Sequence, residues 1–318
     1  MRHATALALS SLAVIAAACA PPPVIPVPPP TAAMTAPAAR PPAGMSLAAV
    51  PSGRMYARAS LAYEGGATDD ARVFSIGGIL VRHPKGMVLF DAGFGPGVDE
   101  HFRIGTPLLL RLASKYDRQT TVADQLRAAG IVPSDLTAVI LTHAHWDHVS
   151  GLEALPGVPV WVSEAELAFV KGEDRAGALS RRLGTDSYRA YDFPDGAYRG
   201  FLASRDVFGD GSVVLVPAGG HTPGSIIAFI SLPDGKRYAL IGDIAWQAEG
   251  VDRPAQKPWI ARRVDHDREA TRDLLVRLNQ LKAADPGLVV VPAHDARVWA
   301  TLPALESTKL AAPSGSAE

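Results

Sequence analysis

Four side chains able to ligate a metal fall within six positions of the run Leu141-Thr142-His143-Ala144-His145-Trp146-Asp147-His148. The apolar stretch 138–141 ahead of them has strand character, and side chains two apart on an extended backbone face the same way. His143 and His145 can therefore grip one cation together. Asp147 and His148 lie where the chain turns toward a helix over 151–155, and they can face a second ion. Neutral imidazoles completed by a carboxylate suit zinc, and the same donors suit iron or manganese. Left unligated, so dense a cluster would need a separate partner for each of its polar atoms.

Two cations need more donors than these four, and three further residues share one placement. His221 follows the apolar run 213–216, Asp243 follows 237–241, and His294 follows 288–291. Each sits just past the end of a buried strand, as His143 does. In open α/β sheets, sites gather beyond the carboxyl ends of the strands. Taken singly, His221 also reads as a turn residue, Asp243 as a helix cap and His294 as a surface residue. His3, His83, His101 and His266 have no such placement and are read as non-ligands.

The elements that must position these residues are short β-rich runs alternating with helical patterns. Strands are expected over 73–76, 78–82, 87–91, 138–141, 158–161, 213–216, 225–231, 237–241 and 288–291. Helices are expected over 121–129, 151–155, 163–170 and 267–284. Thr121-x-x-Asp124 and Ser163-x-x-Glu166 resemble capping boxes. Pro233-Asp234-Gly235-Lys236 reads as a hairpin turn. The mixture predicts a layered α/β fold in a single domain. The stretch 102–112 reads either as an apolar lid near the site or as an ordinary core helix.

Ahead of the domain, residues 1–19 read as an export signal: Arg2 and His3, an apolar run over 7–18, then Ala16-Ala17-Ala18-Cys19. That ending resembles a bacterial lipobox. Cys19, the single cysteine of the chain, is then the expected lipidation site, so no intramolecular disulfide can form. The protein is accordingly expected outside the cytoplasm, periplasmic or membrane-anchored, touching a membrane only through this lipid. Residues 20–54, rich in Pro and Ala, read as an extended linker, residues 55–306 as the domain, and 307–318 as a flexible tail. A net charge of -1 without a basic stripe argues against a nucleic-acid partner. No oligomer is specified.

The combined pattern is similar to that of the metallo-β-lactamase superfamily. It rests on His143-x-His145-x-Asp147-His148 followed in order by His221, Asp243 and His294, with Leu89-Phe90-Asp91-Ala92-Gly93 and Gly220-His221-Thr222-Pro223-Gly224-Ser225. The resemblance implies an αβ/βα four-layer sandwich. It implies that His143, His145 and His221 hold a first metal, that Asp147, His148 and His294 hold a second, and that Asp243 bridges both. Asp91 would be structural. Two Zn²⁺ are the implied cofactors.

Two metals can activate a shared water. A metal-bound hydroxide would then attack an ester-like or lactone carbonyl, with Asp147 orienting the nucleophile or relaying its proton. His83-Pro84-Lys85-Gly86, and His294-Asp295 followed by Trp299, resemble the N-acyl homoserine lactonase branch, whose members include quorum-quenching enzymes. The expected partner is a small molecule, with an acyl tail if 102–112 is a lid. Many such lactonases carry a tyrosine where this chain has Trp246, which can donate a hydrogen bond to substrate but has no hydroxyl. A periplasmic β-lactamase and a thioesterase of the same superfamily are the rival enzymes. A non-hydrolytic metal-binding or redox module is the rival from another class.

Overall fold

A computed structural model describes residues 25–306, Pro107 excepted. The leader over 1–19, Cys19 and the tail over 307–318 lie outside the described residues. Among the described residues, twelve strands form two sheets: β1 (Ser46–Arg58), β2 (Ala71–His83), β3 (Gly86–Phe90), β4 (Lys115–Arg118), β5 (Ala138–Ile140), β6 (Val160–Ser163), β7 (Tyr188–Tyr191), β8 (Arg205–Asp206), β9 (Val213–Pro217), β10 (Ile226–Ser231), β11 (Arg237–Leu240) and β12 (Leu288–Val291). The first sheet runs β4-β1-β2-β3-β5-β6-β7 and the second β12-β11-β10-β9-β8. The turn at 233–236 joins β10 to β11 as an antiparallel pair.

Alternation along these strands builds the layers, since neighbouring side chains point to opposite faces. In β5, Ala138 and Ile140 enter the layer between the sheets, while Val139, and Leu141 just after the strand, face the helices outside. In β9, Val213 and Leu215 point inward, and Val214 and Val216 pack beneath the helix Arg268–Ala284. That helix presents Leu274, Leu275, Leu278 and Leu281, the spacing of one apolar face. Helices Val98–Gly105, Val122–Ala128 and Glu164–Lys171 cover the first sheet. The result is the expected helix–sheet–sheet–helix sandwich. Among the described residues no helix is long and apolar enough to cross a membrane.

Three expectations are revised. The domain starts ahead of residue 55, because β1 begins at Ser46 and runs antiparallel to β2. The part of the supposed linker from residue 25 is docked, not free-standing. Met34 is buried in the outer core of the second sheet, Gln280 Nε2 donates to Pro28 O (2.9 Å), and Arg40 N donates to Asp210 O (2.8 Å). Proline cannot donate to a ladder, but an extended proline-rich segment can still lie along an apolar surface. The stretch 102–112 divides: Phe102 is buried in the core, whereas Leu108 and Leu112 are exposed.

Candidate metal centre

The carboxyl ends of β5, β9, β11 and β12 point to one edge of the sandwich, and the seven candidate residues meet there. Ligand atoms of His143, His145 and His221 lie within 4.8 Å of one another, as do those of His143, His148 and Asp243, and of Asp147, His148 and His294. His143, His148, His221, His294 and Asp243 are buried, and Asp147 is half-buried. Asp243 stands between the groups. Its Oδ1 is 3.0 Å from His294 Nε2 and 3.3 Å from His148 Nε2, and its Oδ2 is 3.6 Å from His221 Nε2.

Hydrogen bonds on the far side of each ring decide which nitrogen faces the centre. His148 Nδ1 bonds Asp91 Oδ2 (2.8 Å), His221 Nδ1 bonds Asp265 Oδ1 (2.7 Å), and His294 Nδ1 bonds the Ser75 carbonyl (2.9 Å). The Thr142 hydroxyl donates to Asp91 Oδ2, so its oxygen accepts from His143 Nδ1 (3.2 Å). Carboxylates and carbonyls only accept, so Nδ1 carries a proton and Nε2 is the atom turned to the centre; His221 Nε2 meets His145 Nδ1 there (2.8 Å). His143 Nε2, His148 Nε2 and Asp243 Oδ1 are buried with no hydrogen-bond partner among the described residues. Buried polar atoms are otherwise nearly always satisfied. A set of bare nitrogens and carboxylate oxygens converging in this way fits a pair of divalent cations.

The charge balance agrees. Burial, then the neighbouring imidazoles, holds His143 well below the ordinary histidine range, and His145 is held down in the same way. Both are neutral, as a ligand must be. Burial also pushes His148 and His294 down, but Asp91, Asp243 and Asp147 around His148, and Asp243 and Asp147 around His294, lift them above the ordinary range. The field that retains a proton there also attracts a cation, and metal entry must expel that proton. The competition from protons grows as pH falls. Metal content measured by elemental analysis after dialysis should therefore fall stepwise on acidification, the second cluster emptying before the first. Simultaneous loss of all metal, or retention independent of pH, would contradict this.

The residues that hold the loops were not evident from sequence. Ser163 Oγ accepts from Glu166 N as a cap should, but the Glu166 carboxylate turns inward. It accepts from Ala144 N (2.6 Å), the Thr222 hydroxyl (2.7 Å) and Gly224 N (3.0 Å), tying the His143–His145 loop to the His221 loop. Burial pushes its pKa up to about 7 against those three donors. A Cβ on Gly224 would lie 2.0 Å from Glu166 N, which explains the glycine. Asp265 and Lys257 are likewise unsignalled by any local pattern. Burial alone would raise Asp265, but Lys257 and the His221 hydrogen bond hold its carboxyl below the usual range.

The Trp246 ring lines the cavity, and its indole N–H donates to Asp243 Oδ2 (2.8 Å). His83 and His101 are buried against Asp210 and Ser150, away from the centre, and His266 is exposed at the cavity rim. The cavity measures ≈ 440 Å³. His145, Asp147, His221, Asp243 and His294 line its floor, and Met55, Leu61, Phe74, Phe169 and Trp246 supply apolar wall.

The family model described as the metallo-beta-lactamase superfamily matches residues 78–294. The Mycobacterium tuberculosis protein named "Probable metallo-hydrolase Rv2300c" is 32% identical over 238 residues, spanning 68% of this chain and 73% of the relative. The N-acyl homoserine lactonase AttM of Agrobacterium fabrum is 27% identical over 231 residues, spanning 70% and 82%. Among solved structures, an N-acyl homoserine lactone hydrolase with N-hexanoyl-L-homoserine at its catalytic metal centre superposes with a TM-score of 0.63 at 18% identity. That match covers 81% of this chain and 96% of the other. The dizinc quorum-quenching lactonase AidC gives 0.56 at 17% identity, covering 80% and 88%. At such identities the likeness is one of fold.

Proposed function

This chain belongs to the metallo-β-lactamase superfamily and is a metallo-hydrolase, and from that premise we propose that it opens lactones bearing an acyl tail, with two zinc ions bound. The observation that carries the reading is the cavity: bare metal-ligating atoms on its floor face an apolar wall of a size suited to a small organic molecule. The relatives named N-acyl homoserine lactonases support the lactone over other acyl substrates.

His143, His145 and His221 would hold one ion, Asp147, His148 and His294 the other, and Asp243 both. Bound there, two cations supply a water of lowered pKa and a polarised carbonyl. The chain's own residues set the rest. Asp265, Asp91 and the Ser75 carbonyl keep Nε2 of His221, His148 and His294 aimed inward. Asp147 is the part-exposed acid of the set, and its Oδ2 lies 3.4 Å from His294 Nε2. It would orient the attacking water, take the proton that water gives up on forming the new C–O bond, and pass it to the alkoxide as the ring C–O bond breaks. Met55, Leu61, Phe74 and the Trp246 ring keep bulk water from the acyl chain.

The test is a panel of N-acyl homoserine lactones, β-lactams, thioesters and phosphodiesters on zinc-loaded protein. The lactones should exceed every other class in kcat/KM by roughly 10²-fold, about 2.7 kcal/mol of transition-state preference. A chelator should abolish turnover and zinc should restore it. Faster turnover of a β-lactam, or lactone hydrolysis that survives complete metal removal, defeats the proposal.

A further inference from the structure

Lys257 is buried, with its side chain 1% exposed. It sits in the loop Gln256-Lys257-Pro258, outside every motif of the family resemblance. Its ammonium donates to Asp265 Oδ1 (2.7 Å) and to the main-chain oxygen of Asp243 (2.6 Å), and lies 5.4 Å from the centre of the Trp246 ring. Asp265 Oδ1 also accepts from His221, while Asp265 Oδ2 has no hydrogen-bond partner. One cation thus touches two arms of the metal centre, the one that aims His221 and the one that carries Asp243.

A buried ammonium is costly unless paired, and the charge around it shows what it balances. Asp91, Asp243 and Asp265 are buried and Asp147 is half-buried. Among the described residues, Lys257 is the one lysine or arginine within hydrogen-bond reach of any of these acids. Without metal, Asp265 has only this ammonium and the His221 N–H to offset its charge.

Resting on the two-cation reading of the site, we propose that Lys257 is a positioning residue: an internal counter-cation on the Asp265 carboxylate and the Asp243 backbone that keeps His221 and Asp243 assembled while no metal is bound. Once cations occupy the centre, their charge offsets the same acids, and the contribution of Lys257 shrinks. A salt bridge that merely held the fold would contribute equally in both states.

The experiment is thermal unfolding of the full chain, zinc-free and zinc-loaded, for wild type, Lys257→Met and the double variant Lys257→Met/Asp265→Asn. Lys257→Met should lower the zinc-free Tm by roughly 10 °C and the zinc-loaded Tm by less than half as much. Its zinc-induced rise in Tm then exceeds that of wild type, and by linkage zinc binds its folded state with undiminished preference. The neutral pair in the double variant should restore most of the zinc-free loss, because the stranded carboxylate is gone. Should Lys257→Met fold only with zinc present, the proposal stands, provided that the double variant folds without it. Equal losses in both states, or a double variant no better than the single one, overturn it. A wild type with no zinc-induced rise removes the two-cation reading along with it. Lactone turnover is not read, so failure of the lactone assignment leaves this result standing.

Discussion

Asp243→Ala is expected to lower kcat/KM by on the order of 10³-fold or more and to reduce the zinc content of purified protein below two ions per chain. Asp243 is the residue that stands between the groups: Oδ1 faces His294 and His148, and Oδ2 faces His221. On the proposed assignment its removal would take a ligand from both cations, and alanine has nothing to substitute. The other acid of the centre, Asp147, lies beside His294 and is not grouped with His143 or His221. The fold should survive, since the side chain lines a cavity and takes no part in a packed layer. Elemental analysis, circular dichroism and a lactone assay on one preparation decide the matter. A folded variant with two ions and near wild-type turnover would remove Asp243 from the role given to it.

Asp91→Ala is expected to cost roughly 3–5 kcal/mol of folding stability, read by urea denaturation. Asp91 is buried and follows β3 with φ 59°, a conformation that aspartate tolerates better than alanine. It accepts from Thr142 N (2.7 Å), the Thr142 hydroxyl (2.8 Å) and His148 Nδ1 (2.8 Å). Truncation leaves all three donors buried and unpaired, at about 1–3 kcal/mol each before relaxation. Asp91→Asn separates stability from metal binding. The amide keeps the shape and satisfies some of the donors, so it should cost less. Its NH₂ can be accommodated if His148 moves its proton to Nε2, where a cation needs a lone pair. Zinc affinity should then fall roughly 10–100-fold. An Asn variant that binds zinc normally would show that Asp91 acts only as a brace.

The convergence of the candidate residues was legible because four of them lie at a junction that sequence marks well, an apolar run that stops. His143, His221, Asp243 and His294 follow β5, β9, β11 and β12 in this manner. The buried strands were legible for the same reason. Runs 73–76 and 78–82 proved to be one strand, β2, and Gly77 is no break: a Cβ there would lie 2.4 Å from Val50 O of the adjoining β1. β1 itself was hidden. Its Pro51-Ser52-Gly53 resembles a turn, but it is the site of a register shift within a long strand. Lys257 and Asp265 were hidden more deeply, since a lone lysine in a loop has no period to betray its burial. Glu166 was noticed as a cap, but sequence spacing cannot tell a carboxylate folded back on its helix from one turned into the protein.

One consequence follows from the way the two sheets share the centre. The loop after β5 belongs to one half of the sandwich, whereas the residues after β9, β11 and β12 belong to the other. Any ion held between them is a rivet through the seam, tying together segments far apart in the chain. Its departure would leave each half's own ladder of hydrogen bonds intact while removing one tie across a seam that the shared apolar core and Glu166 still hold. Metal loading should therefore govern how fast this protein comes undone more than how its halves are built.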